Sequence, residues 1–238
     1  MRTAILFDLD GTLLPMDLER FTKGYFGLLT AEMAKHRYDP QLLVKALLSG
    51  IGAMGKGDGT VTCEQLFWDD AKRILGNGCI RDIPLFDAFY KDGFRGAKRF
   101  TEPDPALSRA AVAAAHESSP IVALATNPLF PFSAIEERLD WVGLTPADFD
   151  LVTSYETSHF AKPSPKYFAE VAKKLGVDPK DCLMIGNDVR EDILPATSTG
   201  METVLVTDCM LHAEGAEYRT VTTAFCDLAA TIRSVCGK

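Results

Sequence analysis

The sequence predicts an α/β fold in which a parallel sheet, covered by helices on both faces, carries an all-helical insertion. Short, unbroken apolar segments alternate with helical patterns from about residue 103 onward, and another such segment stands near the N-terminus. Residues 17 to about 100, in contrast, show successive helical patterns and no convincing strand. Because strands buried on both faces are apolar along their whole length, the alternation is typical of a parallel sheet.

The first predicted strand covers residues 4–8 and ends in two acids at alternate positions, Asp8 and Asp10, followed by Gly11 and Thr12. Alternate residues of a strand point to the same side, so the two carboxylates are expected side by side. They repel each other unless a proton or a cation separates them. The pattern suits a divalent cation held against an anionic substrate, although alone it also describes an ordinary strand end with two solvated acids.

The insertion, predicted at residues 16–102 with joints near Pro15 and Pro103, contains a series of helix signals. These signals are capping residues, a proline in a first turn, a capping box, a terminating glycine and an apolar stripe. They lie at Asp17, Asp39 with Pro40, Thr62 with Gln65, Gly76, and residues 83–90. We therefore expect a small helical bundle.

A glycine-rich stretch of the insertion, residues 50–59, is close to a phosphate-binding P-loop in sequence. It lacks the final Ser or Thr of that motif, and a helix rather than a strand precedes it. We predict instead a mobile loop that faces the functional site and can contact a substrate.

The remaining elements of the sheet unit, residues 1–15 and 103–238, follow in alternation. Further strands are predicted at 121–125, 149–153, 182–185, 203–206 and 219–222. Helices are predicted to open at Asp104 and to cover 131–142, 164–175, 190–199 and 225–232.

Polar residues follow the predicted strands at the edge where open parallel sheets bind ligands. Thr126 and Asn127 follow one strand, and Lys162 stands in a turn before a helix. Gly186-Asn187-Asp188 follows another strand, with Asp192 one helical turn further on. Together with the first two acids, these residue types suit a phosphoryl-binding site with Mg²⁺.

In this order, the residues resemble the four motifs of the haloacid dehalogenase-like superfamily, in the subgroup with a helical C1-type cap. Asp8-Leu9-Asp10-Gly11-Thr12 resembles the first motif, Thr126-Asn127 the second, Lys162 the third, and Gly186-Asn187-Asp188 to Asp192 the fourth. The resemblance implies a Rossmann-like core at residues 1–15 and 103–238, and a cap at 16–102.

The resemblance further implies a Mg²⁺-dependent phosphatase acting on a small phosphorylated metabolite or nucleotide. Asp8 would be the nucleophile that forms an aspartyl-phosphate, and Asp10 would protonate the leaving group and then activate water. The phosphoryl group would be held by Thr126, Asn127 and Lys162. Mg²⁺ would bind Asp8, Asp10, and Asn187 or Asp188, with Gly11, Thr12 and Asp192 in support.

Two positions depart from the family pattern. The fourth motif usually begins Gly-Asp, but Asn187 occupies that position and Asp188 follows. Asn187 is favoured by alignment and Asp188 by charge, so both are candidate ligands. Pro128 stands where glycine is common, and proline has no N–H to offer a phosphoryl oxygen.

Other functions are compatible with parts of the pattern. A phosphomutase on the same scaffold would have to exclude water until the sugar phosphate reorients. Dehalogenation leaves Asp10 without a role in attack on a carbon–halogen bond. A phosphorylation-controlled binding module would be expected to carry its lysine last, whereas Lys162 precedes the acidic cluster, and the long insertion also argues against it.

Composition excludes several classes. The net charge is −8 with no basic block, so we expect no nucleic-acid surface. No apolar stretch reaches membrane-span length. No leader precedes the first strand, and the six cysteines form no C-x-x-C pair, so we expect a soluble cytoplasmic protein with reduced thiols. The four histidines match no motif position.

Overall fold

The computed structural model describes residues 3–237 and contains a six-stranded parallel sheet. The strands are β1 (Ala4–Phe7), β2 (Ile121–Leu124), β3 (Leu151–Val152), β4 (Cys182–Gly186), β5 (Glu202–Val206) and β6 (Val221–Thr223). They lie in the order β3-β2-β1-β4-β5-β6, which is the Rossmann-like arrangement. The predicted α/β sheet is thereby confirmed, with strand bounds shifted by one or two residues. Residues 1, 2 and 238 of the predicted core lie outside the described part.

The helices divide between the connection from β1 to β2 and the rest of the sheet unit. The first group comprises α1 (Leu18–Ala34), α2 (Pro40–Met54), α3 (Cys63–Leu75), α4 (Gly78–Arg81) and α5 (Ile83–Asp92), followed by a 3₁₀ segment, Gly93–Phe100. The second comprises α6 (Pro105–Ser118), α7 (Phe132–Trp141), α8 (Pro165–Leu175), α9 (Leu194–Ser198) and α10 (Leu228–Cys236). A π-helix, Val189–Ile193, leads into α9. Within residues 3–237, no helix combines the length and the apolar character that a membrane crossing requires.

The strand register brings the polar segments together. In the ladders on either side of β1, Leu124 and Ile185 both lie opposite its last residue. The three central strands are almost entirely buried, as expected for a sheet covered on both faces. Asp8, Thr126 and Asn187 therefore leave the sheet at nearly the same level.

The two connections between the sheet and the first helix group run side by side. Met16 and Thr101 form an antiparallel bridge, and the Glu102 N–H donates to the Pro15 carbonyl at 2.8 Å. This pairing lies next to the predicted joints at Pro15 and Pro103. The assignment of two separate domains stays a prediction.

The first half of the glycine-rich stretch is helical, so the prediction of a loop at 50–54 was wrong. α2 continues through Gly50 to Met54, whose side chain is completely buried. A Cβ atom at Gly50 would lie 2.5 Å from the ring of Phe67 on α3. The glycine permits close packing of two helices rather than a turn, and the connection to α3 begins only after Met54.

An aromatic cluster joins the helices of the insertion to the sheet unit. Phe94, in the 3₁₀ segment, stacks on Trp141 of α7 with ring centroids 5.5 Å apart. Its ring also makes an edge contact with Phe21 of α1, with centroids 6.4 Å apart. All three rings are buried, and such pairs stabilise a fold beyond the area that they bury.

We expect Phe94→Ala to lower the free energy of unfolding by about 3–5 kcal/mol, because it leaves a cavity between the insertion and α7. Phe94→Leu retains most of the side-chain volume and should lower the free energy of unfolding by less than half as much. Urea unfolding followed by circular dichroism measures both. Phe132→Ala removes a partly exposed ring and is the matched control. Equal losses for Phe94→Ala and this control would contradict the proposed packing role.

Candidate active site

A cavity of about 230 Å³ lies between the carboxyl edge of the sheet and the helices of the insertion. The polar residues that follow β1, β2 and β4 line one side of it: Asp8, Asp10, Thr126, Asn127, Asn187, Asp188 and Asp192. The remaining predicted residues, Gly11, Thr12 and Lys162, contact members of this set. The structure therefore brings all the predicted site residues together.

Lys162 forms the centre of the polar side. Its buried ammonium donates to Asp8 Oδ1 at 2.8 Å and to Asp192 Oδ1 at 2.6 Å. Burial disfavours the ammonium charge, but the carboxylates of Asp192 and Asp8 outweigh burial and raise the pKa of Lys162. The side chain is therefore cationic and holds two acids from different strand ends.

Asp8 lies directly after β1, and its N–H donates to the Ile185 carbonyl at 2.9 Å. Burial raises the pKa of the Asp8 carboxyl, and the nearby Asp192 carboxylate adds to the rise. The Lys162 ammonium counteracts this effect only in part. A further positive charge beside Asp8 would favour its ionised form.

Asp192 is almost fully buried and accepts three hydrogen bonds. Besides the bond from Lys162, its Oδ2 accepts from the N–H groups of Asn187 at 3.1 Å and Asp188 at 3.0 Å. A Cβ atom at Gly186 would lie 2.2 Å from this oxygen, so the glycine leaves room for the carboxylate. Asp192 thus positions both the lysine and the segment after β4.

The Asn187 side chain is engaged at both of its polar atoms. Its Oδ1 accepts from the Thr12 hydroxyl at 3.1 Å, and its Nδ2 donates to the Cys209 carbonyl at 2.6 Å. Gly11 has a φ of +82°, and a Cβ atom there would lie 2.2 Å from Nδ2 of Asn187. The amide therefore links the turn after β1 to the segment after β5.

Asp188 begins the π-helix. Its Oδ1 accepts from the N–H groups of Arg190 at 2.8 Å and Glu191 at 3.1 Å, and its Oδ2 lies 2.8 Å from Nδ1 of His212. No role for His212 could be predicted from the sequence, because its contact depends on the path of the chain after β5.

Asp10 pairs with Arg138, a residue that the sequence analysis missed. Arg138 is fully buried on α7, its guanidinium lies 4.2 Å over the Phe130 ring, and its Nε donates to the Ala134 carbonyl at 3.1 Å. One of its terminal nitrogens bonds to Asp10 Oδ2, whereas Oδ1 of Asp10 has no protein partner among the described residues. The signal that could have identified it is the position of an arginine on the apolar stripe of the helix predicted at 131–142.

Asn127 connects three segments of the site. Its Nδ2 donates to Glu191 Oε2 at 2.8 Å, and its Oδ1 accepts from the Lys162 N–H at 3.2 Å. Glu191, which was not predicted as a site residue either, also lines the cavity. Burial raises the pKa of its carboxyl. Thr126 is buried beside them, and its carbonyl accepts from the Tyr167 hydroxyl at 2.8 Å.

The donor set fits a hard divalent cation. Five acidic side chains line the cavity, and they face two buried cations, Lys162 and Arg138. Within residues 3–237, no three His, Cys, Asp or Glu side chains are already gathered as a metal site. A cation site here would need further oxygen ligands, and the Asp10 carbonyl is available as one because it accepts no hydrogen bond from the described backbone. Oxygen donors with excess negative charge are the ligands that Mg²⁺ prefers.

Comparison with known proteins identifies similar sequences and folds. The family model for haloacid dehalogenase-like hydrolases matches residues 3–200. A glyceraldehyde 3-phosphate phosphatase of Methanothermobacter thermautotrophicus is 38% identical over 66 residues, or 28% of this chain and 29% of that protein. The chain spans only about half or less of the length of the curated relatives that it matches.

Two solved structures share the fold over nearly the whole chain. A HAD phosphatase from Thermococcus onnurineus has a TM-score of 0.59 at 18% identity, covering 99% of this chain and 98% of that one. A 2-haloacid dehalogenase from Pseudomonas syringae has a TM-score of 0.65 at 16% identity, covering 99% of both chains. At these identities the likeness concerns the fold and does not separate the two chemistries.

We expect Arg138→Met to lower the free energy of unfolding by about 3 kcal/mol, because it removes one partner of a buried ion pair. The value lies near the lower end for such losses, since the other partner, Asp10, is partly exposed. Asp10→Asn in the same chain should recover part of this loss, since it removes the uncompensated carboxylate. Urea unfolding of both single variants and the double variant measures the coupling. Strictly additive losses would show that the pair does not interact.

Proposed function

The chain belongs to the haloacid dehalogenase-like hydrolases, and from this membership we propose that it is a Mg²⁺-dependent phosphatase of small phosphorylated metabolites or nucleotides. The observation that carries the proposal is the buried ion-pair network of Asp8, Lys162 and Asp192 at the cavity. It presents a carboxylate next to a cation in a largely water-excluded place, as attack on a phosphoryl group requires. The phosphatase among the sequence relatives supports the same reaction.

In the proposed reaction, Asp8 attacks phosphorus and the bond from phosphorus to the leaving oxygen breaks. Asp10, which must be protonated when the substrate is bound, donates this proton to that oxygen, and an aspartyl-phosphate remains on Asp8. Asp10 then takes a proton from water, whose oxygen attacks the phosphorus while the bond from phosphorus to the Asp8 oxygen breaks. Phosphate leaves, and both carboxyl groups return to their starting states. Arg138 orients Asp10 for both proton transfers.

The phosphoryl oxygens would be held by the Lys162 ammonium and the Thr126 hydroxyl. Asn127 was predicted to join them, but both ends of its amide are bonded to neighbouring segments. In our proposal Asn127 therefore positions the backbone of Lys162 and the side chain of Glu191 rather than the substrate.

The cation would be held by the Asp8 carboxylate, the Asp10 carbonyl and Asp188. Asp188 carries a negative charge, whereas the Asn187 amide is neutral and bonded at both of its polar atoms. When bound, Mg²⁺ supplies the positive charge that lets one anion approach another. We therefore propose that Asp188 binds Mg²⁺ directly and that Asn187 fixes the conformation of the segment after β4.

We expect Asp8→Asn to reduce turnover of phosphate monoesters by at least about 10³-fold, because an amide is a far poorer nucleophile than a carboxylate. Release of inorganic phosphate measures it, and mass spectrometry excludes deamidation back to aspartate. Asp140→Asn, an exposed acid on α7, is the matched control. Activity of Asp8→Asn near that of this control would remove Asp8 from the mechanism.

Chelation with EDTA should stop phosphate release, and added Mg²⁺ should restore it, because all the proposed ligand atoms are oxygens. Phosphate release that continues in EDTA would contradict the metal requirement. Metal-independent halide release from a 2-haloacid, without phosphate release, would favour a dehalogenase instead.

Asp188→Asn should raise the Mg²⁺ concentration needed for half-maximal activity by about tenfold or more, since it removes a charged ligand but retains the oxygen that caps the π-helix. Asn187→Ala should change that concentration less and lower thermal stability more, because Thr12 and Cys209 lose their partner. Titration of activity with Mg²⁺ measures the first effect. The reverse order would assign the ligand role to Asn187.

A further inference from the structure

The insertion side of the cavity differs chemically from the sheet side. Nine aromatic side chains line the cavity, and most of them come from α1, α3 and α5. Phe67 and Trp68 meet at 86° with centroids 5.1 Å apart, and Trp68 meets Phe86 at 73° and 5.2 Å. These edge-to-face contacts form a packed aromatic wall.

The charged residues that line the cavity are all acids, and they follow β1 or β4. Among the described residues, the insertion helices contribute no lysine, arginine or histidine to the lining, and the buried Lys162 and Arg138 are bonded to acids on the sheet side. A second phosphate or a carboxylate on the substrate would lose water without gaining a cationic partner, which is costly. The cavity therefore disfavours a leaving group that carries negative charge.

Two tyrosine hydroxyls on the aromatic side are already paired with each other. Tyr25 on α1 and Tyr90 on α5 both line the cavity, and their hydroxyls hydrogen-bond to each other. A leaving group rich in hydroxyls would have to compete with this bond where it meets α1 and α5. Both observations favour an apolar leaving group.

The volume limits the size of that group. An apolar cavity of about 150 Å³ binds one benzene ring. The whole cavity here measures about 230 Å³, which suffices for a phosphoryl group and one ring-sized body.

We propose that the substrate is a phosphate monoester whose leaving group is uncharged, apolar and about the size of a single ring, bound by the aromatic side chains of α1, α3 and α5. This inference rests on the proposed phosphatase function for the chemistry of the phosphoryl end. It narrows the substrate class from any small phosphorylated molecule to one with an apolar body.

The test compares 2-phenylethyl phosphate with ethyl phosphate, glyceraldehyde 3-phosphate and 2-phosphoglycolate in the presence of Mg²⁺. All four have an alkoxide leaving group, so their ranking in kcat/KM reports chiefly how the rest of the molecule is bound. We expect 2-phenylethyl phosphate to exceed each of the others by about tenfold or more. A preference for glyceraldehyde 3-phosphate or 2-phosphoglycolate would overturn the inference.

Phe67→Ser provides the structural control, because it removes a ring of the wall. The ratio of kcat/KM for 2-phenylethyl phosphate to that for ethyl phosphate should fall by about tenfold. Phe132→Ser changes a phenylalanine outside the cavity lining and should leave the ratio unchanged. An unchanged ratio in Phe67→Ser would show that the aromatic wall does not cause the preference for 2-phenylethyl phosphate.

Calorimetric binding of two phosphonates separates this inference from the proposed function. If no ester is hydrolysed, the phosphatase proposal fails. Tighter binding of 2-phenylethylphosphonate than of ethylphosphonate to the unchanged protein would then still support an apolar site. Equal binding, or no binding of either compound, would overturn the inference independently of catalysis.

Discussion

The buried ammonium of Lys162 is the interaction on which the site depends. Asp8 and Asp192 follow neighbouring strands and would repel each other in a low-dielectric place without the cation between them. Asp192 also accepts the N–H groups of two residues after β4, so the lysine indirectly fixes the backbone there. Loss of one partner of such a buried pair typically costs about 3–5 kcal/mol, so the chemistry and the local fold are coupled.

The cavity divides its tasks between two sides. Segments at the carboxyl edge of the sheet supply the charge, and the register of β1, β2 and β4 sets their positions. The helices between β1 and β2 supply aromatic surface and are tied to α7 through Phe94. Because Arg138 lies on α7 and contacts Asp10, the same helix supports the proposed proton donor and the docking of the insertion.

The sequence predicted what depends on local pattern and failed where a role depends on a distant partner. Apolar strands and their polar ends are local signals, which explains why the sheet and the grouping of Asp8 with Lys162 could be predicted. Arg138 and Glu191 each lie in a helical pattern, where a single charge usually faces solvent. Gly50 was assigned to a loop because its packing against Phe67 involves another helix. His212 reaches Asp188 only through the turn after β5.

Trapping the phosphorylated enzyme tests whether Asp8, one of the two acids held by Lys162, is the nucleophile. The protein is mixed with substrate and Mg²⁺, quenched in acid and treated with borohydride, which reduces an acyl phosphate to an alcohol. Peptide mass spectrometry then locates the change. We expect only the Asp8 side chain to be reduced, in a fraction that falls when the substrate is exhausted. Reduction at another carboxylate, or turnover with no modified peptide at Asp8, would contradict it.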